Sequence, residues 1–144
     1  MLWRQPVHDV DEFFRAYGAA FQARDLAAIC SLWSFPAHIV SDAGDKVSAV
    51  VVPSPEAFSG PLQHILDMYG RVGCKRIVVR ELDVDELSGS LRRATVKWGL
   101  VGLADLPLYD FTTSYLLARL EGKWRALSAV SHDEMKQYRR FIGR

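Results

Sequence analysis

A change of hydrophobic period near residue 74 constrains this chain more than any other feature. Before it, apolar residues recur at helical spacing in three stretches. After it, residues 75–87, 91–103, 108–120 and 123–131 read as strands. Ser88-Gly89-Ser90 and Glu121-Gly122-Lys123 are turns short enough for hairpins, and Gly102 to Pro107 is a looser connection. Strands of this length predict a curved sheet with bulges, and Gly99 is a candidate bend point. Helices gathered early and strands gathered late describe an α+β fold rather than alternating βαβ units.

The early segments carry their own start and stop signals. Val10, Phe13, Phe14, Tyr17, Ala20 and Phe21 form one face of a first helix, with Asp9 as cap, Glu12 as its reciprocal partner and an end near Arg24. Asp25 caps a second helix with an apolar stripe of Leu26, Ile29, Cys30 and Trp33, and Pro36 is expected to end it. Residues 37–43 and 46–52 read as a hairpin around Ala43-Gly44-Asp45. Ser54-Pro55-Glu56 opens a third helix with Phe58, Leu62, Ile65, Leu66 and Tyr69 inward and Gly73 as its stop; Gly60-Pro61 predicts a kink or a restart at Ser59. In a last helix, Ser131 serves as cap, Glu134 completes a capping box, and Met135, Tyr138 and Ile142 supply apolar contacts. The expected architecture is a single domain, residues 1–144, in which a curved antiparallel sheet wraps around the N-terminal helices as a half-open cone with a cavity between sheet and helices.

Charge and motifs exclude several function classes. Eighteen Lys and Arg against seventeen Asp and Glu leave a net charge of +1, which is no electrostatic footprint for nucleic acid or an anionic membrane. Lys136, Arg139, Arg140 and Arg144 read as a solvated face suited to the C-terminal end of a helix dipole. No apolar run approaches membrane-span length, and MLWRQPVHDVDEFF has no apolar signal core, so a cytoplasmic location is expected. Cys30 and Cys74 lack CxxC spacing and read as free thiols. His8, His38, His64 and His132 are scattered, with His8 and His64 facing solvent, so neither a metal nor another cofactor is expected.

Three stretches carry a resemblance. FRAYGAAFQARDLAAICSLWSFPAHIVSDAG, SPEAFSGPLQHILDMYGRVG and YLLARLEGKWRALSAVSH are similar to the opening, third helix and final hairpin of the nuclear transport factor 2-like superfamily, and the likeness extends over residues 8–140. The resemblance implies a cystatin-like α+β cone of the SnoaL-like or ketosteroid isomerase-like kind. It also implies a homodimer formed through the outer face of the sheet. The superfamily holds isomerases, dehydratases, epoxide hydrolases, cyclases and purely protein-binding members, so fold alone does not settle function.

What the resemblance implies for the site is uneven. Tyr17 falls at the position of the family's helix-one tyrosine, and the base falls at Ser41-Asp42, where a slip of one residue turns a strand side chain to the other face. The late strand reads Thr113, Ser114, Tyr115 and lacks the donor acid of a steroid isomerase. Asp110, Arg80, Arg92 and Arg93 do not assemble the Asp-Arg-Asp set of an epoxide hydrolase, the arginines lying among exposed-looking charges. His38 and His132 are candidates for the histidine of dehydratase or cyclase chemistry. The expected catalytic set is therefore Tyr17, His38 and Asp42. Rings on the cone-forming elements supply the expected ligand wall: Phe14, Tyr17, Trp33, Phe35, Phe58 and Tyr69 from the first half, with Trp98 and Tyr115 from the strands. Alternation with Trp124 and Ala126 adds Ser128, and His132 stands at the mouth. The expected function is binding of a small, largely apolar molecule, with acid–base isomerase, dehydratase or cyclase chemistry as its reactive form. The competing expectation is a non-catalytic binding or assembly module whose cone is filled.

Overall fold

A computed structural model describes residues 7–143, with side chains described from residue 9 onward; the readings that rest on residues 1–6, on His8 and on Arg144 lie outside the described residues. The chain runs α1 (Val7–Gln22), α2 (Leu26–Ser31), β1 (Trp33–Asp42), β2 (Val47–Val52), α3 (Pro55–Arg71), β3 (Arg76–Ser88) and β4 (Leu91–Val101). A 3-10 turn, Leu103–Asp105, leads to β5 (Pro107–Leu120), β6 (Lys123–Ser131) and α4 (Glu134–Ile142). All six strands form one curved, unclosed sheet in the order β2-β1-β6-β5-β4-β3. Neighbours are antiparallel except β1 and β6, which pair in parallel and so join the early hairpin to the late meander.

The concave face of the sheet is closed by α1 and α3. The stripe read from the sequence on α1 is buried, with Phe14 fully enclosed and Val10, Phe13, Tyr17 and Phe21 beside it. Phe14 meets Tyr115 at 4.9 Å and Trp98 at 6.0 Å between ring centroids, in the tilted and edge-on arrangements that ring quadrupoles favour. Gly18 lets α1 come this close: a Cβ there would lie 3.3 Å from the Trp98 ring. On α3, the Ser54 side chain accepts from the Ala57 N–H, and Phe58, Leu62, Leu66 and Tyr69 turn inward. The helix runs unbroken through Pro61, so neither a restart at Ser59 nor a break occurs; Gly60 and Pro61 occupy exposed positions.

Two irregularities in strand pairing correct the sequence reading. Helix α2 stops at Ser31, not at Pro36, and β1 starts at Trp33. Pro36, preceded by a cis peptide, sits where the β1–β6 register breaks between Trp33 and His38, a place where a missing N–H removes no ladder bond. The second break lies between Leu116 and Leu117 on β5, which oppose Ser128 and Ala126, leaving Leu127 as the extra residue of a bulge. Beyond it the alternation of β6 is reversed.

Gly99 has a different role from the expected bend. On the outer face Arg80 lies across it to reach Asp110 at 3.5 Å, and a Cβ at Gly99 would collide with Arg80 Nε. The expected exposure of Arg92 is also overturned. It is 3% exposed, donates to the Ser88 and Leu91 carbonyls, and lies 5.0 Å from the Trp124 ring centroid, with Arg119 over the same ring at 4.8 Å.

Candidate functional site

The cone is hollow. A cavity of about 300 Å³ lies between the concave face of the sheet and helices α1, α3 and α4. Eight aromatic rings contribute to its wall, among them Tyr17 and Phe21 from α1, Phe58 and Tyr69 from α3, and Trp98 and Tyr115 from the strands. Pro61, His64 and Ile65 of α3 form part of the rim, and His64 is exposed there. Size and apolar character match the pockets that enclose small molecules.

The polar groups of the wall gather where β1, β6, β5 and α4 meet. Ser41 is the register partner of Ser131 on the parallel neighbour, and Ser131 is the partner of Thr113 on the antiparallel one. Three adjacent strands thus place three hydroxyl residues in a row on the cavity wall. The first residue of α4, Glu134, completes the group. Tyr69 donates its hydroxyl proton to Glu134 Oε2 at 2.6 Å. The residue as a whole is partly exposed at the start of its helix, but its carboxyl group is enclosed. Burial pushes that carboxyl up to about 7; the Tyr69 hydrogen bond opposes the rise and the neighbouring Asp133 adds to it.

The tyrosines stay neutral donors. Burial raises the Tyr17, Tyr69 and Tyr115 hydroxyls well above the ordinary phenol range. Trp98 Nε1 donates to the Tyr115 hydroxyl at 2.9 Å, which fixes both rings on the wall. Among the described residues, no cluster of His, Cys, Asp and Glu is arranged to hold a metal ion.

Of the residues expected from the sequence, Tyr17, Trp33, Phe58, Tyr69, Trp98 and Tyr115 line the cavity. Phe14 is buried beneath it, and Phe35 packs against Phe58 at 5.9 Å without reaching the wall. His38 and Asp42 are exposed; inward positions on β1 belong to Ile39 and Ser41 because the strand alternates in phase with the inward Trp33. Asp42 instead accepts from the Gly44 N–H at 2.8 Å and closes the turn to β2. Ser128 faces outward because the Leu127 bulge reverses β6, so Ala129 and Ser131 point inward. His132 is exposed and hydrogen-bonds Ser114 Oγ at 2.7 Å, away from the cavity.

The carboxyl that sequence reasoning missed is Glu134, and the Thr113 and Ser131 hydroxyls beside it were missed as well. The spacing of Glu134 from Ser131 matched a capping box, but Ser131 ends β6 and Asp133 is the N-cap. Asp133 accepts from the Thr112 N–H at 2.9 Å, which ties the start of α4 to β5. Freed of a capping role, Glu134 turns to Tyr69.

A bent, mostly antiparallel sheet folded over two helices, with an aromatic chamber between them, defines a cystatin-like protein of the nuclear transport factor 2 type. The chain belongs to the family described as NTF2-like protein (DUF6841), whose model matches residues 8–134. Solved structures agree on the fold. A protein of unknown function with a cystatin-like fold from Nostoc punctiforme aligns with a TM-score of 0.72 at 10% identity, covering 91% of this chain and 94% of its own. Aln2 from a Streptomyces species aligns at 0.70 with 16% identity and the same coverages, 91% and 94%. A putative calcium/calmodulin-dependent protein kinase II association domain from Xanthomonas campestris aligns at 0.62 with 14% identity, covering 90% and 88%. No curated protein matches the sequence. No helix among the described residues is long and apolar enough to cross a membrane.

Proposed function

We propose that this protein binds a small, largely apolar molecule inside the cone. The observation that carries the reading is a ring-lined chamber of about 300 Å³ whose few polar groups converge at one end. Such a layout favours a ligand with an apolar body and one polar tip: the rings take the body, and Glu134 with the Ser41, Thr113 and Ser131 hydroxyls takes the tip. A neutral bicyclic alcohol, 1-naphthalenemethanol, is a direct probe. It is expected to bind with a dissociation constant in the micromolar range by calorimetry and to raise the melting temperature. Ile65→Trp, placing a large ring at the partly exposed rim, is expected to weaken that binding roughly tenfold or more while the protein still melts cooperatively. An unchanged affinity in the variant, or no binding by the native chain at millimolar probe, counts against the reading.

A second reading is acid–base chemistry in the same chamber, and the observation favouring it is the Glu134 carboxyl, poised at about 7 beside a tyrosine donor. Such a group exchanges protons near neutrality, as a general acid or base must. On this reading Glu134, with Tyr69 holding its orientation, takes the place expected for His38 and Asp42. The check is Glu134→Gln, which abolishes turnover of any substrate found for the chamber; full turnover by that variant removes the reading.

A further inference from the structure

We propose that the molecule held in the cone is a cation, an apolar amine whose ammonium group sits between Glu134, the three-hydroxyl row and the surrounding ring faces. This inference rests on the cavity reading above and narrows it to a class of ligand.

Among the described residues no lysine or arginine lines the cavity, and no cation pairs with Glu134. An enclosed carboxylate without a cation is among the least favourable groups a protein can hold, and the chain keeps one at the polar end of its chamber. The Tyr69 hydroxyl satisfies only Oε2. A ligand ammonium has three N–H donors. Glu134 and the hydroxyl oxygens of Ser41, Thr113 and Ser131 supply acceptors on adjoining positions of the wall.

The rings add to this. Tyrosine and tryptophan faces attract cations through their quadrupoles, and the attraction strengthens where water is excluded. Tyr17, Trp33, Tyr69, Trp98 and Tyr115 all contribute to this wall. An anionic ligand meets the opposite conditions: no lysine or arginine among the described lining residues, and a carboxyl that its own charge would drive further toward protonation. A neutral ligand uses the rings but leaves the carboxyl uncompensated.

Groups facing the Glu134 carboxyl are Tyr69 from α3, Tyr17 from α1, and Tyr109 and Tyr115 from β5, with Asp133 alongside on its own segment and His64 at the rim. None of the tyrosines ionises near neutrality, so an arriving cation acts on the Glu134 carboxyl itself. It favours the carboxylate, so binding below neutrality expels a proton.

The test compares 1-naphthylmethylamine, a cation at neutral pH, with 1-naphthalenemethanol, its neutral counterpart of nearly equal shape, by calorimetry. At about pH 8 the amine is expected to bind the native chain roughly tenfold tighter or better. In Glu134→Gln, which keeps an acceptor for Tyr69, the ratio of the two affinities is expected to fall to about one. At about pH 6.5 the heat of amine binding is expected to change with the ionisation enthalpy of the buffer, reporting proton release, and the heat of alcohol binding is not. Equal affinities of amine and alcohol for the native chain overturn the cation inference and leave the cavity reading standing. A preference that survives in Glu134→Gln also overturns it, because the carboxyl is then not what selects the charge. Failure of both compounds to bind overturns the cavity reading and this inference together.

Discussion

Phe14→Ala is expected to lower the free energy of unfolding by about 3–5 kcal/mol, the largest effect of any single replacement considered. Phe14 is fully enclosed and its ring touches those of Phe13, Tyr17, Trp98 and Tyr115. Removing it leaves a void beneath Trp98 and Tyr115, and the indole–hydroxyl hydrogen bond between those two resists collapse into the space. For a chain of this size the melting temperature should drop by roughly 10 °C. Urea unfolding of the two proteins at one pH measures the difference. A loss below about 1 kcal/mol would mean that α1 closes onto the sheet without its ring, against the packing described.

The second large effect is a dependence of stability on pH, and it runs opposite to the usual carboxylate. At about pH 4 Glu134 is protonated in folded and unfolded chains alike and contributes no difference. Between the ordinary value of 4.5 and about 7, the folded chain holds a proton that the unfolded chain has released, so stability falls as pH rises. Above about 7 the full penalty is present, on the order of 3 kcal/mol. Glu134→Gln carries no titrating group and retains an acceptor for Tyr69. It should match the native chain at about pH 4 and exceed it by roughly 2–3 kcal/mol at about pH 8. Chemical denaturation of both proteins across that range checks this; a stability difference that stays flat with pH would show that the carboxyl is hydrated rather than enclosed.

Most of the fold was legible because its signals are local. The stripe from Val10 to Phe21 specifies α1, Ser54-Pro55 marks the start of α3, and β6 occupies residues 123–131 as read. Five of the rings placed on the wall, Tyr17, Phe58, Tyr69, Trp98 and Tyr115, are there because they sit on elements whose inward face is set by simple periodicity, while Trp33, read on α2, reaches the wall from β1. The site was less legible, for reasons that can be named. Strand alternation carries information only as far as the next irregularity. One extra residue at Leu127 exchanged Ser128 for Ala129, and with Trp33 read on α2 nothing anchored the phase of β1, which keeps Trp33, Ile39 and Ser41, not Asp42, inside. Glu134 was hidden by a true local pattern that tertiary structure did not use: Ser131 stayed in the strand, and a tyrosine 65 residues away took the carboxyl. Sequence spacing contains no trace of that partner.

The parallel pairing of β1 with β6 has a consequence for how the molecule comes into being. His38 and Ser128, neighbours in the finished sheet, are about 90 residues apart along the chain. During synthesis the β1–β2 hairpin therefore emerges long before the strand that will hold it, with Val47 and Val51 uncovered on an edge. Only when the last strand arrives can the hairpin dock and the chamber acquire its far wall. Assembly of this protein is thus a late event that waits on distant parts of the polypeptide, and the interval before it is when association with other nascent chains is most dangerous.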